Sequence, residues 1–195
     1  SCDHYTYRTQ LEGVRSGPGD LDLVMYSLRK YCRLAAHGNP TVLLLLWLPD
    51  YIKSSHFGRR LVGMRDTFVS QESGKRFLGY LMGQKASLTG ARAKRVNRPE
   101  LIYKYGFDSK SDAHALRLAY QGVELLTTRN MILPIPEPQV STLRAIRRGE
   151  VSLSDTLKLI DEEEAKLRAL VAACTWRADI QRINDFLVLA HHESH

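Results

Sequence analysis

The segment from Asp108 to Asn130, DSKSDAHALRLAYQGVELLTTRN, constrains the fold of this chain more than any other stretch. Asp108 is a good N-cap residue, because its carboxylate can accept hydrogen bonds from backbone N–H groups of the first helical turn. Apolar residues then recur at helical spacing up to about Thr128. They are Leu116, Ala119, Val123 and Leu126. The spacing therefore predicts a long helix with one buried side.

A second stripe on the same helix is entirely polar. Lys110, His114, Arg117 and Gln121 follow one another at intervals of three or four residues and therefore share a face. Two interpretations are open: a solvated face, or the wall of a groove that binds phosphate, for which Arg offers a planar fork and Lys a point charge. Because His114 lies between two cations, its protonated form is disfavoured, which suits a neutral hydrogen-bonding role.

The N-terminal part of the chain predicts one strand followed by short helices. The alternation in LDLVMYS indicates a strand from Leu21, after which a helix runs to Gly38, a residue typical of helix C-termini. Asn39 and Pro40 then begin a second helix, because Asn is a good N-cap and Pro loses no hydrogen bond at the first helical position.

The remaining segments are helical by pattern. A long helix is predicted from about Ser70, a second one from Ser152 with Asp155 in a near capping box, and a last one over DIQRINDFLVLAHH. In the first of these, Gly79 and Gly83 share a face and are expected to let another helix approach closely. The fold class is therefore predicted as α+β and mostly helical.

Asp20 and Asp22 stand one residue apart next to the predicted strand. In an extended segment their side chains point to the same side, where they could chelate a divalent metal or form a solvated strand entrance. Metal-dependent phosphoryl transfer needs about three carboxylates, so this pair is insufficient by itself. The sequence also has no P-loop, no G-x-G-x-x-G, no H-E-x-x-H and no G-x-S-x-G motif.

The net charge of +7 favours anionic partners such as nucleotides or nucleic acid. Four cations in the stretch Gly90 to Glu100 form either a solvated loop or a nucleic-acid contact. They are Arg92, Lys94, Arg95 and Arg98. A non-catalytic basic helical module that binds nucleotide or nucleic acid is therefore one alternative function. A protein-interaction scaffold that uses the acidic helix from Asp161 is another.

The apolar run TVLLLLWL is far shorter than the roughly 20 residues of a membrane-spanning helix, so no membrane partner is expected. The three cysteines are widely separated and suggest neither a disulfide framework nor a zinc site. A cytoplasmic location is the resulting expectation.

Several separated stretches together resemble one family. They are DLVMYSLRKYCRLAAHGNPTVL, KRFLGYLMGQKASLTG, NRPELIYKYGFDSKSDAHALRLAYQGVELL and LRAIRRGEVSLSDTLKLIDEEEAKL. In this order they resemble the nucleotidyltransferases of the DNA polymerase beta superfamily called the RlaP family. The resemblance implies a small mixed sheet with an acidic site, followed by helices that complete a nucleotide pocket. It also implies transfer of a nucleoside monophosphate from a nucleoside triphosphate to an acceptor, with Mg²⁺ as cofactor.

The resemblance assigns roles to individual residues. Asp22 matches the third catalytic carboxylate and metal ligand of the family. Asp20 would be an accessory metal residue or a merely local one, and Lys110, His114 and Arg117 would line the nucleotide site. Residues 1–50 would be the remainder of the nucleotidyltransferase head, and residues 51–195 a helical domain that completes the cleft without a long linker.

The sequence departs from the family pattern in two ways. The Gly-Ser turn followed by Asp-x-Asp, which supplies the first two carboxylates, does not precede residue 20, and Leu44 stands where many relatives have Glu. Magnesium prefers octahedral oxygen coordination, so one strand carboxylate should hold it poorly. The chain as given is therefore expected to be an incomplete or inactive nucleotidyltransferase, its missing carboxylates either preceding residue 1 or lost.

Overall fold

The computed structural model describes residues 3–10, 17–88, 99–105 and 107–193. Within these ranges the chain is mainly helical with one small antiparallel sheet, which confirms the predicted α+β class. The strands are β1 (His4–Arg8) and β2 (Asp22–Tyr26). The first helices are α1 (Leu28–Ala36), α2 (Pro40–Leu43), α3 (His56–Gly63), α4 (Gln71–Leu88) and α5 (Pro99–Tyr105). The remaining helices are α6 (Ser109–Thr128), α7 (Gln139–Arg147), α8 (Leu153–Ala173) and α9 (Ile180–His192). Two short 3₁₀ helices cover Leu44–Trp47 and Arg65–Phe68.

The sheet is a two-stranded hairpin outside the helical core. β2 is the strand that the sequence predicts, whereas β1 was not recognised; the two pair with Arg8 opposite Asp22 and His4 opposite Tyr26. Every residue of both strands is exposed. Since an isolated hairpin is marginally stable in water, the helices rather than the sheet must provide the stability of the fold.

The helix boundaries around Gly38 follow the sequence prediction. Gly38 follows His37, the C-cap residue of α1. Gly38 has a φ of +73°, a left-handed conformation that favours glycine. The Asn39 Oδ1 atom then accepts hydrogen bonds from the backbone N–H groups of Thr41 and Val42 at 3.0 and 3.3 Å. Pro40 occupies the first position of α2, so its missing N–H group leaves no helical hydrogen bond unmade.

The core is organised by the packing of α6 against α4 and α8. Gly122 lies where a Cβ atom would be 2.9 Å from Leu167 of α8 and 3.0 Å from Phe77 of α4. The glycines that bring these helices together are therefore Gly122 and, in α4, Gly74. The expectation for Gly79 and Gly83 was wrong, because no described atom lies within 4 Å of a Cβ built at either position. Both were chosen from their spacing, which does not reveal which side of α4 faces the core.

Helix α6 has the bounds and the cap that the sequence predicts. The Asp108 carboxylate accepts a hydrogen bond from the Ser111 backbone N–H at 3.2 Å, and the predicted apolar side faces α4 and α8. Both tryptophans of the chain contact residues just after α6. The Trp47 indole N–H donates to Asn130 Oδ1 at 2.7 Å, and the Arg129 guanidinium lies 4.8 Å from the Trp176 ring centre.

Asp112 is an unusual residue of the α6 core side. Its side chain is fully buried, and neither carboxylate oxygen has a hydrogen-bond partner among the described residues. Burial, with a smaller contribution from the charge of Asp108, raises the pKa of Asp112 from 3.8 to about 7. The carboxyl group is therefore easiest to accommodate in its protonated form.

None of the described helices is long and apolar enough to cross a bilayer. The two cysteines in the described ranges, Cys32 and Cys174, are free thiols. Burial raises the pKa of Cys32 to about 12, so this thiol is held in its unreactive protonated form.

We predict opposite effects of alanine at two glycines. Gly38→Ala places a Cβ atom 2.3 Å from the Ser73 Cα at a positive φ, so it should lower the free energy of unfolding by more than about 1–2 kcal/mol. Gly79→Ala, within α4 and without a described atom nearby, should raise it by about 0.5–1 kcal/mol. Urea denaturation measures both, and equal effects would contradict the assigned packing of α4.

We also predict that Asp112 makes stability pH-dependent. Because the folded state keeps this proton to higher pH than the unfolded chain, the free energy of unfolding should fall as pH rises from about 4 to about 7. Asp112→Asn removes this dependence and should stabilise the protein at pH 8 by about 1–3 kcal/mol, and less at pH 5. The exposed Asp50→Asn variant is the control, and denaturation curves at both pH values test the difference. The same shift in both variants would refute the assignment.

Candidate functional site

A groove of about 670 Å³ lies along the solvent side of α6. Helix α7 and residues 133–135 form its other wall, and Gln84 of α4 contributes at its edge. The two helices are antiparallel: the Ser109 hydroxyl donates to the Arg147 carbonyl at 3.3 Å near the start of α6, and Tyr120 interacts with Thr142 further along. The groove therefore follows most of the length of α7.

The structure brings the whole polar stripe of α6 together in this groove. Lys110, His114, Arg117 and Gln121 all line it. Gln121 is only 4% exposed, and its side chain lines the groove. A buried amide at the surface of a cavity offers both a donor and an acceptor to a ligand.

Helix α7 adds two cations that the sequence analysis did not assign to the site. Arg144 and Arg147 line the groove opposite α6, and no carboxylate is among the described residues that line it. Lys110, Arg144 and Arg147 form no ion pair with a described residue. In the sequence, Arg144 and Arg147 stand three residues apart in LRAIRR, which indicates that they share one face of a helix. Only the tertiary packing of α7 shows that this face lies opposite Lys110 and Arg117.

The contact between Arg117 and His114 indicates the protonation state of the histidine. An Arg117 guanidinium nitrogen lies 2.8 Å from the His114 Nδ1 atom. A guanidinium can only donate, so Nδ1 must accept, and the imidazole is neutral in this contact. Burial of part of the Arg117 side chain lowers the pKa of its guanidinium, and the charge of Arg147 lowers it further. Two arginines thus face each other without a described acid between them.

The two ends of the groove differ in chemistry. Arg147 lies beside the start of α6, where Lys110 and the partial positive charge of the helix N-terminus add to its field. Gln121 is about 16 Å further along α6. The wall toward that end is mainly apolar and consists of Leu133, Pro134, Ile135, Val140 and Leu143. The groove can therefore hold an elongated molecule with an anionic end and a flat or apolar end.

Asp20 and Asp22 do not lie in this groove. Asp22 begins β2, and its carboxylate accepts a hydrogen bond from the Arg8 side chain at 3.2 Å. Asp20 lies in the preceding turn, where its carboxylate accepts from the Gly17 N–H at 2.7 Å and the Thr9 hydroxyl at 3.2 Å. Within the described ranges, no three His, Cys, Asp or Glu residues are grouped so that they could hold a metal ion.

The sequence analysis singled out two other charged regions. The basic stretch with Arg92, Lys94, Arg95 and Arg98 lies outside the described residues. On the acidic helix α8, Asp161 and Glu164 both pair with Lys85 of α4, and Glu163 pairs with Lys166. Asp161 and Glu164 therefore connect α8 to α4, whereas the Glu163 pair lies within α8.

Comparisons with known proteins give the family of the chain. Neither a curated protein nor a solved structure matches it. A family model described as "RlaP: RNA repair pathway DNA polymerase beta family" matches residues 7–192, which is nearly the whole chain and the family that the sequence motifs suggested. The chain belongs to the RlaP family.

Proposed function

We propose that the groove between α6 and α7 binds a nucleoside triphosphate. The family indicates a nucleotidyltransferase-like function, and the reaction we propose is transfer of the nucleoside monophosphate to an acceptor. The acceptor forms a bond to the α-phosphorus, and pyrophosphate leaves. The single observation that carries the proposal is that four cations, and no described acid, line the groove. The cations are Lys110, Arg117, Arg144 and Arg147.

The asymmetry of the groove favours one orientation of the nucleotide. The phosphates would lie at the end near Lys110 and Arg147, because charge-assisted hydrogen bonds from Arg and Lys are the strongest that the groove offers. The base would lie against the apolar wall at Ile135 and Val140, near the Gln121 amide. Aromatic ligands gain most of their affinity from such apolar contacts, and a few polar groups fix their orientation.

His114 acts in this proposal as a positioning residue. By accepting an N–H bond from Arg117, it fixes the direction in which the guanidinium presents its remaining donors. A protonated imidazole could not accept this bond. The neutral hydrogen-bonding role predicted from the sequence thus gains a specific partner.

The predicted Mg²⁺ site does not fit the described residues as they stand. Nucleotidyltransferases of this superfamily use Mg²⁺, and Asp22 remains our prediction for a catalytic carboxylate and metal ligand, with Asp20 beside it. However, Asp22 is engaged by Arg8, and Asp20 stabilises its own turn. We therefore assign no step to the ion.

We propose that residues 1–50 belong to the catalytic head and residues 51–195 to the helical part that forms the groove. The cytoplasmic location and a nucleic-acid partner also stay predictions. A non-catalytic nucleotide-binding module would use the same groove without transfer, so binding is the property to test first.

We predict that Lys110→Ala combined with Arg117→Ala weakens ATP binding at least tenfold, because each charge-assisted hydrogen bond contributes about 1.5–3 kcal/mol. Isothermal titration calorimetry at low salt measures the affinity. The control is Arg29→Ala combined with Lys53→Ala, which removes the same charge at exposed positions away from the groove. Equal affinity of both double variants would refute the assignment of the groove.

A further inference from the structure

We propose that the groove binds its triphosphate ligand in the metal-free form, with protein cations neutralising the phosphates in place of a divalent ion. This inference rests on the proposed function, since it specifies the charge state of the nucleotide at the same site. The cations are Lys110, Arg117, Arg144 and Arg147, which come from two facing helices.

The first argument is the balance of charge. A metal-free nucleoside triphosphate carries about four negative charges, because a terminal phosphate alone holds about two. The four cations of the groove match this charge, and no described acid lines the cavity to offset them. A bound Mg²⁺ ion cancels two of the ligand charges and therefore leaves two protein cations without compensation.

The second argument concerns the ligands that a divalent ion would need. Magnesium in nucleotide sites is usually held by one or two protein carboxylates together with the phosphates and water. The described lining of the groove offers arginine, lysine, histidine and amide groups, but no carboxylate. A metal carried in on the nucleotide would thus meet Arg117 and Arg147, which repel it, instead of a protein ligand.

The third argument is the repulsion within the empty groove. Arg117 and Arg147 face each other across the groove, and no described carboxylate lies between them in its lining. Such an arrangement is expected to raise the free energy of the ligand-free protein, and an anion bound between the two guanidinium groups would lower it. A merely structural arginine pair would instead be expected to contact a carboxylate or carbonyl groups.

The experiment measures ATP binding by calorimetry in EDTA and again with ATP saturated by Mg²⁺, and repeats both with inorganic triphosphate. The affinity for ATP should persist in EDTA and become about three- to tenfold weaker with Mg²⁺, because the metal reduces the charge that the groove recognises. Inorganic triphosphate should follow the same trend, since it carries the charges that the cations contact.

Variants of the groove arginines give a second test, in which ligand affinity and the thermal midpoint of the ligand-free protein should change in opposite directions. Arg144→Gln combined with Arg147→Gln should weaken metal-free binding about tenfold or more, yet raise the thermal midpoint of the ligand-free protein at low salt, because it removes repulsion. Arg148→Gln is the matched control: Arg148 is the adjacent exposed residue, pairs with Glu150 and does not line the groove. It should leave the affinity unchanged.

The outcomes separate this inference from the proposed function. Binding that requires Mg²⁺ overturns the metal-free inference and leaves the nucleotide groove in place. No binding of ATP with or without Mg²⁺ overturns both. A lower thermal midpoint of the Arg144 and Arg147 double variant, measured without ligand, contradicts the repulsion between Arg117 and Arg147 and with it the reason for the inference.

Discussion

The close packing of α6 between α4 and α8 is the constraint on which the rest of the structure depends. It favours glycine at position 122, where a Cβ atom would lie 2.9 Å from Leu167 and 3.0 Å from Phe77. This packing fixes the rotation of α6 about its axis, and the rotation decides which residues remain on the outside. The polar stripe that begins at Lys110 is thus presented to α7 as a consequence of core packing.

Features set by local chemistry could be predicted from the sequence. The cap at Asp108, the left-handed glycine at position 38 and the Asn39-Pro40 start of α2 each depend on a few neighbouring residues, and all three were predicted correctly. The polar stripe on α6 could also be predicted from the sequence, since helical periodicity alone places its members on one face. Whether this stripe is a solvated face or a groove wall could not be predicted, because it depends on where α7 packs.

Features that depend on contacts between segments far apart in the sequence were not predicted. Arg144 and Arg147 belong to the groove because the segment after α6 turns the chain back and lays α7 antiparallel to it, a path that no local pattern specifies. The same limit explains the error at Gly79, where spacing was right for close packing but the helix face was wrong. Asp112 is a further example. An acid near a helix N-terminus is favourable in isolation, and only the tertiary environment buries it without a hydrogen-bond partner among the described residues.

The contacts of the two tryptophans determine what intrinsic fluorescence can report about this protein. Trp47 and Trp176 both contact residues that immediately follow α6, whereas the cationic end of the groove lies at the opposite end of the same helix. Their emission should therefore follow the docking of the 3₁₀ turn at Trp47 and of the segment between α8 and α9. Phosphates at the far end would leave the signal nearly unchanged, so the chain carries an internal optical probe of its folding that is separate from its ligand site.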